Sequence, residues 1–221
     1  MNKIKGVIFD LDGTLIDSMG VWLDVDKEFL QRRNITVPPN LFDEIKGGNS
    51  FSETAQFFKD KFHLTDSIEN IMQEWTDMVF HHYKEFVKPK KGAIELLEYL
   101  KINKIDMAVG TSNSDYLAET VLKANAMQSY FKSVITGKDH IKGKPFPDIF
   151  LEAAKRINKS PDECIVIEDT YAGIMAAKNA KMKICGIYDE HSQKETEKII
   201  AATDWYVKDF SQLYNLLKEL I

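Results

Sequence analysis

Four carboxylates, one lysine and a short run of hydroxyl and amide side chains stand out in this chain because each follows an apolar run rich in β-branched residues. Residues 3–9 lead into Phe9-Asp10-Leu11-Asp12-Gly13-Thr14-Leu15, residues 105–109 into Gly110-Thr111-Ser112-Asn113, and residues 164–167 into Glu168-Asp169-Thr170. If these runs are parallel strands, their C-terminal ends share the edge at which open α/β sheets bind ligands. Lys144, in Gly143-Lys144-Pro145, follows a further run at 133–136 and can reach the same crevice. Crowded there, Asp10, Asp12, Glu168 and Asp169 would repel one another unless a hard divalent cation with oxygen ligands neutralised them, and Mg²⁺ suits that task. With the cation on one side and Lys144 and Thr111 on the other, the space between fits a phosphoryl group. Asp10, at the strand end, is the natural nucleophile, while Asp12 can protonate the leaving group and then activate water.

Taken singly, each residue has a plainer role. An Asp after a strand is a turn residue, a lysine before proline is a loop charge, Thr111 or Ser112 could cap a helix starting near Ser114, and Asp169 or Thr170 the helix that follows them. Their arrival at one sheet edge in this order is what points to chemistry. Competing motifs fail. Residues 137–144 have five residues between the glycines where a Walker loop needs four, with Pro145 where Ser or Thr must hold the metal. Asp10-Leu11-Asp12-Gly13 begins like an EF-hand, but Val21 stands at the twelfth position in place of Glu.

The elements that must position these residues alternate. Strand-like runs at 3–9, 105–109, 133–136, 164–167, 183–188 and 204–207 are separated by helical spacings such as Leu117-Val121-Leu122 and Ile149-Phe150-Ala153-Ile157. Alternation of this kind gives right-handed crossovers and a parallel sheet. Residues 18–87 differ: Val21, Trp22, Val25 and Phe29, then Phe51, Ala55 and Phe58, then Ile71, Trp75 and Val79 recur at helical spacing without a strand-like run. The expected fold is α/β, a Rossmann-like parallel sheet core (1–17 and 88–221) with an inserted α-helical bundle cap domain (18–87).

Charge follows the same division. Of 34 acids and 29 bases, net −5, residues 18–87 hold 12 acids and 7 bases, so the whole excess sits in the insert. An acidic chain without a basic stripe argues against nucleic acid. No apolar run approaches the roughly 18 residues of a membrane span and no leader pattern opens the chain, so no membrane partner and a cytoplasmic location are expected. Cys164 and Cys185 stand in separate apolar runs and read as buried core residues. A monomer is the default expectation.

The set Asp10-Leu11-Asp12-Gly13-Thr14-Leu15, Thr111-Ser112-Asn113, Gly143-Lys144-Pro145-Phe146-Pro147-Asp148 and Glu168-Asp169 with Ala172-Gly173 resembles the four signature motifs of the haloacid dehalogenase superfamily. It is similar in particular to the β-phosphoglucomutase-like phosphatase branch, whose helical cap is inserted after the first motif. The resemblance implies that Asp10 forms an aspartyl-phosphate and that Asp12 is the general acid/base. It further implies that Thr111 and Lys144 bind the phosphoryl group, with Ser112 and Asn113 as phosphate neighbours. Mg²⁺ would be held by Asp10, the Asp12 backbone carbonyl and Asp169, with Glu168 acting on a metal-bound water.

Within that resemblance, Asp12 favours phosphoryl transfer over dehalogenation. Mutases of this branch carry a histidine in the first cap helix, where this chain has Trp22, and an arginine in the cap loop, where it has Gly47-Gly48-Asn49-Ser50-Phe51. The expected activity is therefore a Mg²⁺-dependent phosphatase acting on a small phosphorylated metabolite. A β-phosphoglucomutase-type sugar phosphomutase is the alternative, and a non-catalytic phosphometabolite-binding module a more distant one. Trp22, Lys46, Asn49 and Phe51 are the candidate substrate contacts of the cap, Trp22 and Phe51 doubling as candidates for its core.

Overall fold

The computed structural model describes residues 3–39, 41–44, 50–137 and 141–221. Strand β1 (Gly6–Phe9) is followed by helices α1 (Met19–Gln31), α2 (Leu41–Glu44), α3 (Phe51–Phe62) and α4 (Ile68–Glu85). Then come α5 (Ala93–Ile102), β2 (Asp106–Gly110), α6 (Asp115–Ala124), β3 (Ser133–Ile135), α7 (Asp148–Arg156), β4 (Cys164–Glu168) and α8 (Tyr171–Asn179). The chain closes with β5 (Lys183–Ile187), α9 (Thr196–Ala202), β6 (Trp205–Val207) and α10 (Phe210–Leu220). All six expected strands are present, and the described residues of 18–87 contain none. Helix α9 and the short 3-10 segment before it, Glu190–Glu195, carried no clear apolar period and were not anticipated.

The strands form one parallel sheet in the order β3-β2-β1-β4-β5-β6, so β1 pairs with β2 on one side and β4 on the other. Phe9 faces Val109 across one ladder and Ile167 across the other. The strand order therefore reverses at β1, between the ends that carry Asp10, Thr111 and Asp169, which is the switch point where such sheets open a crevice.

Alternation along the strands builds two cores. Val7, Phe9, Val109, Ile165, Ile167 and Cys185 pack under α5, α6 and α10, while Ile8, Ala108, Cys164, Val166 and Ile184 pack under α7 and α8. Cys164 and Cys185 thus lie on opposite faces, both buried and unpaired. Helix α4 buries the i, i+4 stripe Ile71, Trp75, Val79 and Tyr83. Trp75 meets Phe29 of α1 at 5.4 Å and Phe58 of α3 at 4.9 Å between ring centroids, which holds the three helices together. At its start, α3 carries a reciprocal cap between Ser50 and Glu53.

The two crossings between sheet and insert run side by side. The Asp17 N–H donates to the Lys88 carbonyl at 3.0 Å and the Lys90 N–H to the Leu15 carbonyl at 2.9 Å, with a bridge between Ile16 and Pro89. No helix among the described residues is long and apolar enough to cross a membrane.

Candidate active site

The end of β1 delivers Asp10 into the crevice with its N–H bonded to the Ile167 carbonyl at 3.0 Å, and Thr111 is fixed in the same way to Ile135 at 2.9 Å. Lys144 arrives from the loop before α7 and is almost fully buried. Its ammonium donates to Asp10 Oδ1 and Glu168 Oε1, each at 2.5 Å. Burial alone would depress the Lys144 pKa, but Asp10 and Glu168 outweigh it and hold the ammonium above its ordinary range. Glu168 turns back onto the start of α8, where its Oε2 accepts from the Thr170 N–H at 2.7 Å and hydroxyl at 2.9 Å. Gly173 makes room for that turn, since a Cβ there would stand 1.8 Å from Glu168 Oε1.

Asp169 lies on the next residue. It accepts from the Thr14 hydroxyl at 2.7 Å and from Ser192 at 3.2 Å. Gly13, at φ +81°, is the one position in the first motif where a side chain is excluded outright, because a Cβ would come within 2.6 Å of Asp169 Oδ2. Burial, then the charge of Glu168, pushes Asp169 up to about 8. Burial likewise holds Asp10 well above the usual carboxylate range, opposed by Lys144 and reinforced by Glu168 and Asp169. Asp10 and Glu168 thus share Lys144, Asp169 has only neutral hydrogen-bond partners with the charge of Lys90 further off, and the three buried carboxylates are short of positive charge.

That donor set fits a hard divalent ion, with oxygen ligands and surplus negative charge in one buried place. The set is not drawn together around a common point: among the described residues no three acidic, histidine or cysteine side chains form a ligand cluster. Lys144 and Thr170 hold Glu168, while Thr14 and Ser192 hold Asp169.

The Asp12 carboxylate faces elsewhere. Its Oδ1 accepts from the Ser18 hydroxyl at 2.6 Å, from the Tyr83 hydroxyl and, at 3.4 Å, from the Trp22 indole N–H. Its Oδ2 accepts from the Asn113 amide at 2.9 Å. The grouping of four carboxylates therefore resolves into Asp10 and Glu168 on Lys144, Asp169 close to both, and Asp12 turned toward the helices of the insert. Asn113 spends its amide on Asp12 and Tyr83, while Ser112 stays half-buried on the turn after Thr111. Trp22 reaches the site and packs edge-on against Phe51 at 5.7 Å; Phe51, nearly buried, also meets Trp75. Lys46 and Asn49 lie outside the described residues.

Tyr83, Ser18, Thr14 and Ser192 escaped the sequence reading as site residues. For Tyr83 the sequence offers only the stripe 71-75-79-83, which reads as helix core.

A parallel α/β sheet whose switch-point edge carries an aspartate beside a buried lysine, with a second aspartate two residues on, defines a hydrolase of the phosphoryl-transfer kind. The chain belongs to the haloacid dehalogenase-like hydrolases, whose profile matches residues 7–187. A bifunctional riboflavin kinase/FMN phosphatase of Arabidopsis thaliana is 33% identical over 182 residues, 82% of this chain, which spans 48% of that longer protein. A phosphorylated carbohydrates phosphatase of Thermotoga maritima is 26% identical over 99% of this chain and 100% of its own length. The crystal structure of a HAD hydrolase, family IA, variant 3, from Entamoeba histolytica superposes with a TM-score of 0.83 at 26% identity, covering 97% of this chain and 100% of that one.

Proposed function

We propose that this phosphoric monoester hydrolase of the haloacid dehalogenase kind cleaves a small phosphorylated metabolite through an aspartyl-phosphate at Asp10. A carboxylate oxygen of Asp10 attacks phosphorus as the ester P–O bond breaks, and the departing oxygen takes its proton from Asp12. Water then attacks the same phosphorus, Asp12 takes back a proton, and the Asp10–phosphorus bond breaks to release inorganic phosphate. Lys144 and Thr111 bind the phosphoryl oxygens, with Ser112 and Asn113 beside them. Lys144 also restrains the Asp10 carboxylate through Oδ1. Asp10, Asp169 and the Asp12 backbone carbonyl would hold Mg²⁺, and Glu168 supports them by fixing Lys144 and the start of α8. When bound, the ion supplies positive charge at the phosphoryl oxygens.

The carrying observation is the pairing of Lys144 with Asp10 at the switch point. Residues 18–87 are taken as a cap and 1–17 with 88–221 as the core, a division favoured by the paired crossings at 15–17 and 88–90. Hydrolysis is favoured over mutase chemistry because, among the described residues, the insert meets Asp12 through neutral groups, Ser18, Trp22 and Tyr83. A bisphosphate would instead call for cations there. The protein is taken as a cytoplasmic monomer without nucleic-acid or membrane partners.

The test is a panel of phosphorylated sugars, polyols and nucleotides assayed for phosphate release with Mg²⁺ and with excess chelator. Equimolar phosphate and dephosphorylated product, lost in chelator and unaffected by added hexose bisphosphate, is the expected result. Conversion of β-glucose 1-phosphate to glucose 6-phosphate without matching phosphate would overturn it in favour of the mutase.

A further inference from the structure

Tyr83 is fully buried, and its hydroxyl is the meeting point of three polar groups from three parts of the chain. The Trp22 indole N–H, from α1, lies 2.7 Å from it. The Asn113 amide, from the turn after β2, lies at 3.1 Å. Asp12 Oδ1, from the turn after β1, accepts from it.

The direction of each bond is fixed by donor inventory. Indole N–H is a donor only. The orientation of the Asn113 amide follows from its other end, where Oδ1 accepts from the Ser114 N–H at 2.8 Å, so its NH₂ faces Tyr83 and Asp12. Both lone pairs of the phenol oxygen are therefore taken by Trp22 and Asn113, and its single proton is committed to Asp12. Burial, together with the charge and hydrogen bond of Asp12, holds the phenol well above its ordinary pKa, so it remains a donor.

We propose that Tyr83 is a positioning residue: carried by α4, its hydroxyl orients the Asp12 carboxylate for proton transfer to the leaving group, so that placement of the acid depends on the docked insert. The proposal rests on Asp12 being the acid of the reading above. The Asp12 side chain follows the Gly13 turn and lies outside the regular strand, so its direction is set by its donors. Two of these, Tyr83 and Trp22, come from helices of the insert. Once protonated, a carboxyl group held in this way meets the departing oxygen in one orientation, which is what transfer of its proton in the transition state requires.

Tyr83→Phe keeps the ring and its packing and removes the hydroxyl. The readout is kcat/KM, which covers only formation of the aspartyl-phosphate, measured with an alkyl phosphate that needs a protonated leaving group and with p-nitrophenyl phosphate, which does not. The expected result is a loss on the order of 10- to 100-fold for the alkyl ester, the weight of one hydrogen bond to a charged group, and a change under about threefold for the aryl ester. In an Asp12→Asn background the same substitution should cost nothing further. Trp22→Phe, which removes one of the two donors holding the phenol, should show the same leaving-group pattern at smaller size and serves should Tyr83→Phe fold poorly.

Equal losses on both esters, or an additive loss in the Asp12→Asn background, would reduce Tyr83 to a packing residue and overturn the proposal. Failure of the underlying reading looks different. In that case Asp12→Asn alone would show no preference for the alkyl ester, or the unmodified protein would release no phosphate from either.

Discussion

Asp26 is a charge in the wrong place. It sits on α1 between Val25 and Phe29, 8% exposed, one helical turn from Trp22, and burial alone raises its pKa to about 7. In the unfolded chain an aspartate titrates near pH 3.9. The folded state therefore binds the proton more tightly, and the stability this contributes is fully present below about pH 4 and lost as pH rises through about 7. A displacement of about 3 units corresponds to about 4 kcal/mol between the extremes, an upper bound because partial hydration of the carboxylate would lower it. Asp26→Asn removes the charge at nearly constant shape, at the cost of burying an amide, about 1–3 kcal/mol if it finds no partner. Urea unfolding from pH 5 to pH 9 reads the difference. The wild-type midpoint should fall across this range, whereas that of Asp26→Asn should fall much less, so that the variant gains relative stability as pH rises. A difference between the two proteins that stays constant from pH 5 to pH 9 would refute the reasoning, because only a titrating Asp26 makes it depend on pH.

Two further substitutions probe the crevice. Gly173→Ala places a methyl group 1.8 Å from Glu168 Oε1, so it should displace Glu168 from Lys144, cost about 1–3 kcal/mol in urea unfolding and lower kcat/KM; an unchanged midpoint and rate would contradict the packing described. Lys144→Met leaves Asp10 and Glu168 buried without their shared cation, a loss of about 3–5 kcal/mol measured in chelator. The loss should be larger at pH 8 than at pH 5, where a carboxyl can take up a proton instead; equal losses at the two pH values would count against shared neutralisation.

The sheet was legible because its four central strands, β2, β1, β4 and β5, are buried on both faces and so read as continuous apolar runs, while the half-buried edge strands β3 and β6 are short runs of the same kind. Asp10, Thr111, Glu168 and Asp169 were legible for the same reason, since a residue at the end of a parallel strand has its place fixed by the strand. Asp12 shows where this stops. Past the strand end, at the Gly13 turn, period no longer sets direction, and its carboxylate faces the insert and not the other three.

Tyr83 was hidden by its own stripe, since Ile71, Trp75 and Val79 make it read as core, while the carboxylate it serves is 71 residues away in sequence. The position of Trp22 in the sequence suits a substrate contact or a core residue, and the structure shows a third use, an indole donor to Tyr83 and Asp12. Nothing in the sequence marks Asp26, because burial of one carboxylate depends on the helices packed around it and not on its neighbours in sequence.

The central claim is that Asp10 carries the phosphoryl group during turnover. Mixing the protein with a ³²P-labelled phosphate ester that it hydrolyses, quenching in acid within a turnover and mapping the labelled peptide tests this directly. Label is expected on the peptide containing Asp10, appearing before steady-state phosphate release and absent from a folded Asp10→Asn protein. Label on a different residue, or undiminished turnover by Asp10→Asn, would contradict it.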